Sequence, residues 1–236
     1  MEQQHSVLIV DDDKEIVDSI AIYLSRENLK IYKAYDGLQA LEAVAAHSIQ
    51  LILMDIMMPK LDGMKAMMRL REQHNIPIIL ISAKSEDTDK ILGLDFGADD
   101  YITKPFNPLE LIARVKSQLR RYTVLGTAAD GKNTEEDVLT AGGLTLDIPQ
   151  KRLTVDGEEC RLTPIEYKIL ELLMRNQGRV FSIEEIYERV WNEPSFSPEN
   201  TVAVHIRRIR EKIEINPREP KYLKVVWGIG YKIEKA

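Results

Sequence analysis

The chain has 236 residues, 44% of them hydrophobic and 30% charged, which is typical of a folded globular protein with room for two domains. No run approaches the roughly 18 apolar residues of a membrane-spanning helix, and the opening MEQQHSV lacks the basic and apolar regions of a signal peptide, so we expect a cytoplasmic protein without membrane contact. The net charge of −6 does not exclude nucleic acid, because residues 200–236 carry nine Lys or Arg against four Asp or Glu. The single cysteine, Cys160, excludes an internal disulfide and a cysteine metal cluster.

The first 121 residues alternate apolar runs with amphipathic stretches. The apolar runs lie at 6–10, 30–34, 50–54, 77–81 and 100–102. Their spacing suits strand–helix–strand units, and continuous apolar strands indicate burial on both faces, as in a parallel sheet between helices. We therefore predict an α/β doubly wound domain with a five-stranded parallel sheet over residues 1–121.

The remainder of the chain has a different pattern. Residues 122–137 contain Gly, Asp, Asn and Glu without apolar periodicity, which predicts an exposed linker. From residue 138 the sequence predicts short strands, then helices over 164–176, 182–191 and 199–213, and finally a β-hairpin. This order of elements is that of a winged helix-turn-helix, which we predict over residues 138–236.

Polar side chains follow the predicted strands of the first domain at the points where they end. Asp11 and Asp12 follow the first strand and Asp55 the third, while Ser82 and Lys104 follow the fourth and fifth. Ligands of an open parallel sheet bind beyond these carboxyl ends, so the five residues are expected to converge on one pocket. Taken singly, Asp11, Asp12 or Ser82 also suits a helix N-cap, and Lys104 also suits a solvated loop. Asp55 has fewer such alternatives, because it follows four apolar residues and precedes IMMP.

The charges of this pocket predict a metal ion. Carboxylates packed together repel one another unless a cation joins them, and oxygen ligands favour a hard divalent ion, here Mg²⁺. We predict that Asp12, Asp55 and the backbone carbonyl of Met57 bind the ion, with Asp11 acting through water. The ion would neutralise an incoming phosphoryl group.

Asp55 is the predicted nucleophile, forming an acyl phosphate whose oxygens Lys104 and the Ser82 hydroxyl would hold. The segments VLIVDDD, LILMDIMMPKLDG, IILISAK and GADDYITKPF resemble those of bacterial receiver domains. This resemblance covers the first domain and implies that Asp55 takes its phosphoryl group from a sensor histidine kinase. It also implies that Ser82 and Tyr101 change position on phosphorylation, although Tyr101 also suits a core aromatic residue.

The stretch NTVAVHIRRIREKI in the second domain predicts an amphipathic helix with a charged face. Its apolar stripe consists of Val202, Ile206, Ile209 and Ile213, which we expect to face the core. The opposite face is expected to present Asn200, Val204, Arg207, Arg208 and Glu211, flanked by His205 and Arg210. This face suits the major groove of DNA, although a solvated charged helix has the same pattern.

The segments LTPIEYKILELLMRNQGRVFS, TVAVHIRRIREKI and GIGYKI resemble the winged-helix effector domain of the OmpR/PhoB family of response regulators. LIARVKSQLRRY and KVVWGIGYKIEK are most similar to the vancomycin-resistance regulators of that family. The resemblance implies that Arg208 reads base edges of promoter DNA and that Trp191 lies near a loop that meets RNA polymerase. It also implies phosphate contacts from three residues: His205, Arg207 and Arg210. Trp227 stands where the family often has an arginine that enters the minor groove.

The family resemblance also implies a homodimer that forms on phosphorylation. Its predicted interface pairs Lys90 with Glu110, Asp100 with Arg114, and Asp95 with Lys116 across a two-fold axis, around a centre of Ile91, Leu94 and Ala113. Without the resemblance, these residues also suit a set of solvated surface charges.

Two functions of other classes compete with this interpretation. A Mg²⁺-dependent phosphohydrolase would use Asp55 as a turnover nucleophile, but the sequence offers no second acid or base beyond Lys104 and no lid-length insertion, so we expect no enzyme. A constitutive DNA-binding protein would use the first domain as a dimerisation scaffold. It would bind DNA equally with and without phosphorylation.

Overall fold

The computed structural model of the chain describes residues 4–83, 97–126, 138–191 and 198–235. The chain divides into two compact units, Met1–Tyr122 and Thr123–Ala236. None of the helices in these described ranges is both long enough and apolar enough to cross a membrane.

The first unit is built on a parallel sheet with strand order β2-β1-β3-β4-β5. Its strands are β1 (His5–Val10), β2 (Leu29–Ala34), β3 (Leu51–Asp55), β4 (Ile78–Ser82) and β5 (Asp100–Thr103). Its described helices are α1 (Lys14–Leu24), α2 (Gly37–Ala46), α3 (Gly63–Gln73) and α4 (Pro108–Gly126), with a short 3₁₀ turn at Ser25–Glu27. The predicted five-stranded α/β domain is confirmed.

The apolar strands form this sheet because both of its faces are covered. Every residue of β3 and β4 is buried, as expected for strands between two layers of helices. Asp13, Asp36 and Asp62 cap α1, α2 and α3 by accepting hydrogen bonds from backbone amides in the first turn of each helix. The N-cap of α1 is thus Asp13 rather than Asp11 or Asp12, which leaves the two preceding carboxylates for other contacts.

Helix α4 requires a correction to the predicted linker. The linker was expected to begin at residue 122, but α4 continues to Gly126. No proline or glycine interrupts the chain between Pro108 and Gly126, so nothing stops the helix earlier. Residues 127–137 of the predicted linker lie outside the described residues.

The second unit begins with an antiparallel sheet in the order β6-β7-β8-β9 and ends with a β-hairpin. The four strands are β6 (Val138–Ala141), β7 (Leu144–Asp147), β8 (Arg152–Val155) and β9 (Glu158–Cys160). Helices α5 (Pro164–Arg175), α6 (Ile183–Trp191) and α7 (Pro198–Ile213) follow, and β10 (Leu223–Val226) and β11 (Gly230–Ile233) form the hairpin. The predicted winged helix-turn-helix is confirmed.

Helices α5, α6 and α7 enclose the core of the second unit, with α7 packed against both of the others. Helix α5 starts with a capping box: the Thr163 backbone N–H donates to Glu166, and the Glu166 backbone N–H donates to the Thr163 hydroxyl. Pro164 occupies the first turn, where its missing N–H has no helical partner to lose. The helix therefore begins at the position that the sequence predicts.

Candidate functional site

Asp11, Asp55 and Lys104 meet at the carboxyl edge of the parallel sheet. Lys104 Nζ donates to Asp11 Oδ2 at 2.6 Å and to Asp55 Oδ1 at 2.7 Å. Both carboxylates are buried, Asp55 as the last residue of β3 and Asp11 directly after β1. One ammonium group therefore joins two carboxylates that the chain places 44 residues apart.

The electrostatics of this cluster leave it short of positive charge. Burial raises the pKa of Asp55, and the neighbouring charge of Asp11 adds to this, while Lys104 and the Met57 backbone N–H act in the opposite direction. Burial alone would lower the pKa of Lys104, but its hydrogen bonds to Asp11 and Asp55 outweigh that effect and raise it. Lys104 therefore stays protonated, and two carboxylates share a single cation.

The residues fit Mg²⁺ in their chemistry, although the arrangement differs from the predicted one. Within the described ranges no three His, Cys, Asp or Glu side chains form a metal-binding group, so Asp11, Asp12 and Asp55 do not converge as expected. The ammonium of Lys104 lies between two of them, and Asp12 is exposed. Because Asp11 and Asp55 contact the same nitrogen atom, they are close enough for one cation to contact both, and their oxygens are the ligands that Mg²⁺ prefers.

The backbone after Asp55 adds one further contact, and two other predicted residues lie on the neighbouring strands. The Met57 N–H donates to Asp55 Oδ2 at 2.7 Å, which orients the carboxylate from the loop after β3. Ser82 is the last residue of the neighbouring strand β4, and its side chain is buried. The residue before it, Ile81, lies opposite Asp55 in the parallel register. Tyr101 on β5 is buried, which agrees with its alternative interpretation as a core aromatic residue. Its movement on phosphorylation stays a prediction.

The sequence did not reveal how the loop after Asp55 is held. Lys60 has a left-handed backbone conformation, with φ of 62°, and donates to Asp36 Oδ2 at 2.5 Å. Gly63 begins α3 so close to β3 that a Cβ atom there would lie 2.0 Å from the backbone oxygen of Asp55. Nothing in the local pattern marks Asp36 and Lys60 as partners, because 24 residues separate them.

Helix α7 buries a wider face than the sequence predicts. The stripe of Val202, Ile206, Ile209 and Ile213 is buried, which confirms the expected core face. Val204 and His205 were expected on the DNA face, but both are buried, and His205 has no exposed surface. The His205 ring lies 5.6 Å from the ring of Trp191 on α6. Since α6 covers this second side of α7, His205 does not contact phosphates in this conformation.

The three arginines of α7 lie in three different environments. The Arg207 side chain is 57% exposed and pairs with Glu211 one turn later, at 3.1 Å. The Arg208 side chain is 13% exposed and its Nε lies 3.4 Å from Oε1 of the buried Glu166. Arg210 is partly buried, and its Nε donates to the Leu223 carbonyl at 3.0 Å, so the predicted phosphate contact competes with a contact inside the protein. The side chain of Asn200 lies outside the described residues.

The two tryptophans of the second unit have opposite exposures. Trp191 is fully buried and stacks on Tyr187, with ring centroids 4.8 Å apart. A buried ring cannot itself touch a polymerase, so the prediction for Trp191 applies only to the loop after it, and residues 192–197 lie outside the described residues. Trp227 is 88% exposed beside Gly228 in the turn of the hairpin.

Part of the predicted dimer interface lies among the described residues, and the interface itself stays a prediction. Lys90, Ile91, Leu94 and Asp95 lie outside the described residues. Of the three predicted intersubunit pairs, Asp100 with Arg114 is already made within one chain, at 3.0 Å. Arg114 also contacts Glu110 at 2.9 Å, and Lys116 contacts Glu27 at 2.5 Å, neither of which was a predicted pair. Arg114 is buried, because Asp100 at the start of β5 offers it a nearby carboxylate, whereas Ala113 is exposed.

An Asp–Asp–Lys cluster at the edge of a five-stranded parallel sheet, on the same chain as a winged helix, defines a response regulator with a DNA-binding output domain. The chain matches the model of the response regulator receiver domain over residues 7–116 and that of the transcriptional regulatory protein C terminal over residues 157–233. It belongs to the OmpR/PhoB family of two-component response regulators. The family functions in transcription regulation, with a histidine kinase and promoter DNA as partners.

Relatives and solved structures agree with this assignment over almost the whole chain. The chain is 44% identical to the regulatory protein VanRc of Enterococcus gallinarum, over 97% of this chain and 98% of the relative, and 44% identical to VanR of Enterococcus faecium with the same coverage. This confirms the subgroup that the sequence predicts. The chain is also similar to the response regulator DrrB, an OmpR/PhoB homologue of Thermotoga maritima whose crystal structure is known. The two sequences are 30% identical, the match covers 98% of this chain and all of DrrB, and the TM-score is 0.52.

Proposed function

We propose that Asp55 is the phosphoacceptor of this response regulator and that its phosphorylation promotes dimerisation and promoter binding. The observation that carries the proposal is the contact of Lys104 with both Asp55 and Asp11 at the open edge of the sheet. The cluster combines a nucleophilic carboxylate, a fixed cation and an unbalanced negative charge. These are the requirements for accepting a phosphoryl group with the help of a second cation.

In the proposed reaction, Asp55 Oδ attacks the phosphorus of a phosphohistidine on the kinase. A P–O bond forms as the P–N bond breaks, and the imidazole of the kinase leaves. Lys104 then contacts a phosphoryl oxygen as a point charge, and the Ser82 hydroxyl donates to another. We propose that Asp55 and the Met57 carbonyl hold Mg²⁺, with Asp11 acting through water and the exposed Asp12 turning toward the ion when it binds. The ion would neutralise charge on the transferring group.

On the DNA side, Arg207 and Arg208 carry the proposal. Arg207 is exposed on α7 and suits a phosphate contact, while Arg208 occupies the position at which the family resemblance places base reading. We propose that phosphorylation pairs two receiver domains, places two α7 helices on adjacent half-sites and so raises DNA affinity. Contact with RNA polymerase is proposed for the loop after Trp191.

The test combines both domains in one measurement. Full-length protein is incubated with acetyl phosphate and Mg²⁺, phosphorylation is followed by mass spectrometry, and affinity is measured on genomic fragments. Asp55→Asn should abolish both the mass increase and the gain in DNA affinity, because the amide is a poor nucleophile. Asp18→Asn is a matched control, since Asp18 is an exposed carboxylate paired with Lys33 on the same domain.

Two results would contradict the proposal. Stoichiometric phosphorylation of the Asp55→Asn protein would place the phosphoryl group on another residue. Equal DNA affinity of wild-type protein with and without acetyl phosphate, despite full phosphorylation, would instead favour a constitutive DNA-binding protein.

A further inference from the structure

Glu166 is a charged residue in the core of the DNA-binding domain. It lies in the first turn of α5 and has no exposed surface. Its Oε2 accepts from the Thr163 backbone at 2.8 Å and from Lys212 Nζ at 2.5 Å, and its Oε1 lies 3.4 Å from Arg208 Nε. Two cations of α7 therefore converge on one carboxylate of α5.

Helix capping does not explain this arrangement. A neutral glutamine at position 166 would accept the same hydrogen bond from Thr163, and removing a carboxylate from water is unfavourable unless it is well paired. Burial by itself raises the pKa of Glu166, but the charges of Lys212 and Arg208 outweigh it and lower the pKa. Glu166 is therefore ionised, and its negative charge is paired with the two cations of α7.

The contact distinguishes Arg208 from the arginine beside it. Arg207 points to solvent and pairs along its own helix, whereas Arg208 is drawn toward α5. The contact at 3.4 Å is an ion pair and not a hydrogen bond, and the guanidinium nitrogen nearest to the carboxylate is Nε, the inner one. Because the guanidinium is planar, holding Nε restricts the plane in which the two outer nitrogens lie.

We propose that Glu166 is the positioning residue of Arg208, restricting its guanidinium before DNA arrives and thereby setting sequence discrimination. The inference rests on the proposed base-reading role of Arg208. A bidentate contact with guanine requires a defined plane, so an arginine that is already restricted loses less freedom when it binds. Lys212 contacts the other oxygen of the same carboxylate, Oε2.

The first test is a double-mutant cycle on the phosphorylated full-length protein. Affinities of Glu166→Gln, Arg208→Ala and the double variant are measured on a selected binding fragment and on a scrambled version of it. Glu166→Gln should reduce the ratio of the two affinities by roughly three- to tenfold, as expected for one side chain that must be immobilised on binding. In the Arg208→Ala background, the same change should leave the ratio unaltered.

Lys212→Met is the matched control. It removes the other cation from the same carboxylate and leaves the Arg208 contact in place, so it should weaken both DNA affinities by the same factor and leave their ratio unchanged. The inference would be overturned if Glu166→Gln reduced the ratio of the two affinities equally in the wild-type and the Arg208→Ala protein. It would also be overturned if Glu166→Gln lowered both affinities and left their ratio unchanged. If Arg208→Ala reduces the ratio of the two affinities but shows no coupling to Glu166→Gln, only the positioning role of Glu166 is refuted. If Arg208→Ala leaves the ratio unchanged, the base-reading role of Arg208 is itself refuted.

A second measurement does not depend on the folding of a core variant. Nitrogen-15 relaxation of the arginine Nε–H groups in the unbound wild-type protein reports how restricted each guanidinium is. The Nε–H of Arg208 should be markedly more ordered than that of Arg207 and should exchange more slowly with water. Equal mobility of the two groups would overturn the proposed restriction.

Discussion

Arg114 donates two hydrogen bonds to the carboxylate of Asp100 in its own chain, each 3.0 Å long. From the sequence, these two residues were expected to pair between protomers. In the structure, both side chains are buried and already satisfied within one receiver domain. A dimer that uses this pair must therefore exchange an existing contact for an equivalent one across the interface, which makes the net gain from dimerisation small.

Arg114→Ala should destabilise the unphosphorylated receiver domain by about 3–5 kcal/mol, because it leaves the buried carboxylate of Asp100 without its main cation. Urea unfolding followed by circular dichroism measures this change. Lys116→Ala is the control: its pair with Glu27 has an exposed lysine and should contribute about 0–1 kcal/mol. Equal effects of the two substitutions would show that the Arg114 pair is not buried in solution.

A mixing experiment decides whether the pair also forms between protomers. Arg114→Glu and Asp100→Arg each create like charges within one chain, and each phosphorylated variant alone should dimerise less than wild type. When the two variants are mixed, opposite charges meet at both positions only across the interface: Asp100 of the first variant faces Arg114 of the second, and the two introduced side chains face each other. Sedimentation of the phosphorylated mixture should therefore show recovered dimer, and a mixture as monomeric as its components would refute the interface.

Asp36 should give the receiver a stability that depends on pH. A hydrogen bond from Lys60 and another from the Gln39 backbone lower the pKa of Asp36. A lowered folded-state pKa means that the stabilisation is present above the unfolded pKa, about 3.9, and is lost as the pH falls through the folded value. Asp36→Asn keeps the N-cap oxygen but not the charge.

The difference in unfolding free energy between wild type and Asp36→Asn should be about 0.5–1 kcal/mol at pH 7, a small value because Lys60 is exposed. It should begin to fall near the unfolded pKa of about 3.9 and approach zero only below the lowered pKa of the folded state. Urea titrations from pH 7 to pH 3 measure it. A difference independent of pH would show that charge is not the cause.

Gly63→Ala should impair the phosphoacceptor without touching its chemistry. The new methyl group would meet the Asp55 backbone oxygen, so β3 or α3 must shift, at a cost of about 1–3 kcal/mol. The rate of phosphorylation by acetyl phosphate should fall with the displacement of Asp55. Lys65→Ala, on the exposed side of the same helix, should alter neither quantity.

Tryptophan fluorescence should separate the two environments in the DNA-binding domain. Acrylamide should quench the emission of exposed Trp227 and spare that of buried Trp191. Trp227→Phe should therefore leave a blue-shifted emission that resists quenching. If the wing contacts DNA, a bound fragment should protect Trp227 in the wild-type protein, and efficient quenching of the Trp227→Phe protein would contradict the burial of Trp191.

The sequence by itself determined the elements and the chemical site. Buried strands require runs of apolar residues, so the five strands and their carboxyl ends could be found, and with them Asp11, Asp55 and Lys104. The periodicity of α7 identified its main core stripe, because 3.6 residues per turn place Val202, Ile206 and Ile209 on one side. These features depend on short stretches of chain and on general rules of packing.

Only the tertiary structure decided which polar residues lie inside. Periodicity gives the direction of a side chain but not the number of neighbours around the helix, and α7 packs against both α5 and α6, which buries His205 as well as the stripe. Glu166 contacts Arg208 and Lys212, which lie 42 and 46 residues later in the sequence. Arg114 contacts Asp100 of its own chain. Long charged side chains pair with whichever opposite charge the fold brings near, and no local pattern specifies that partner.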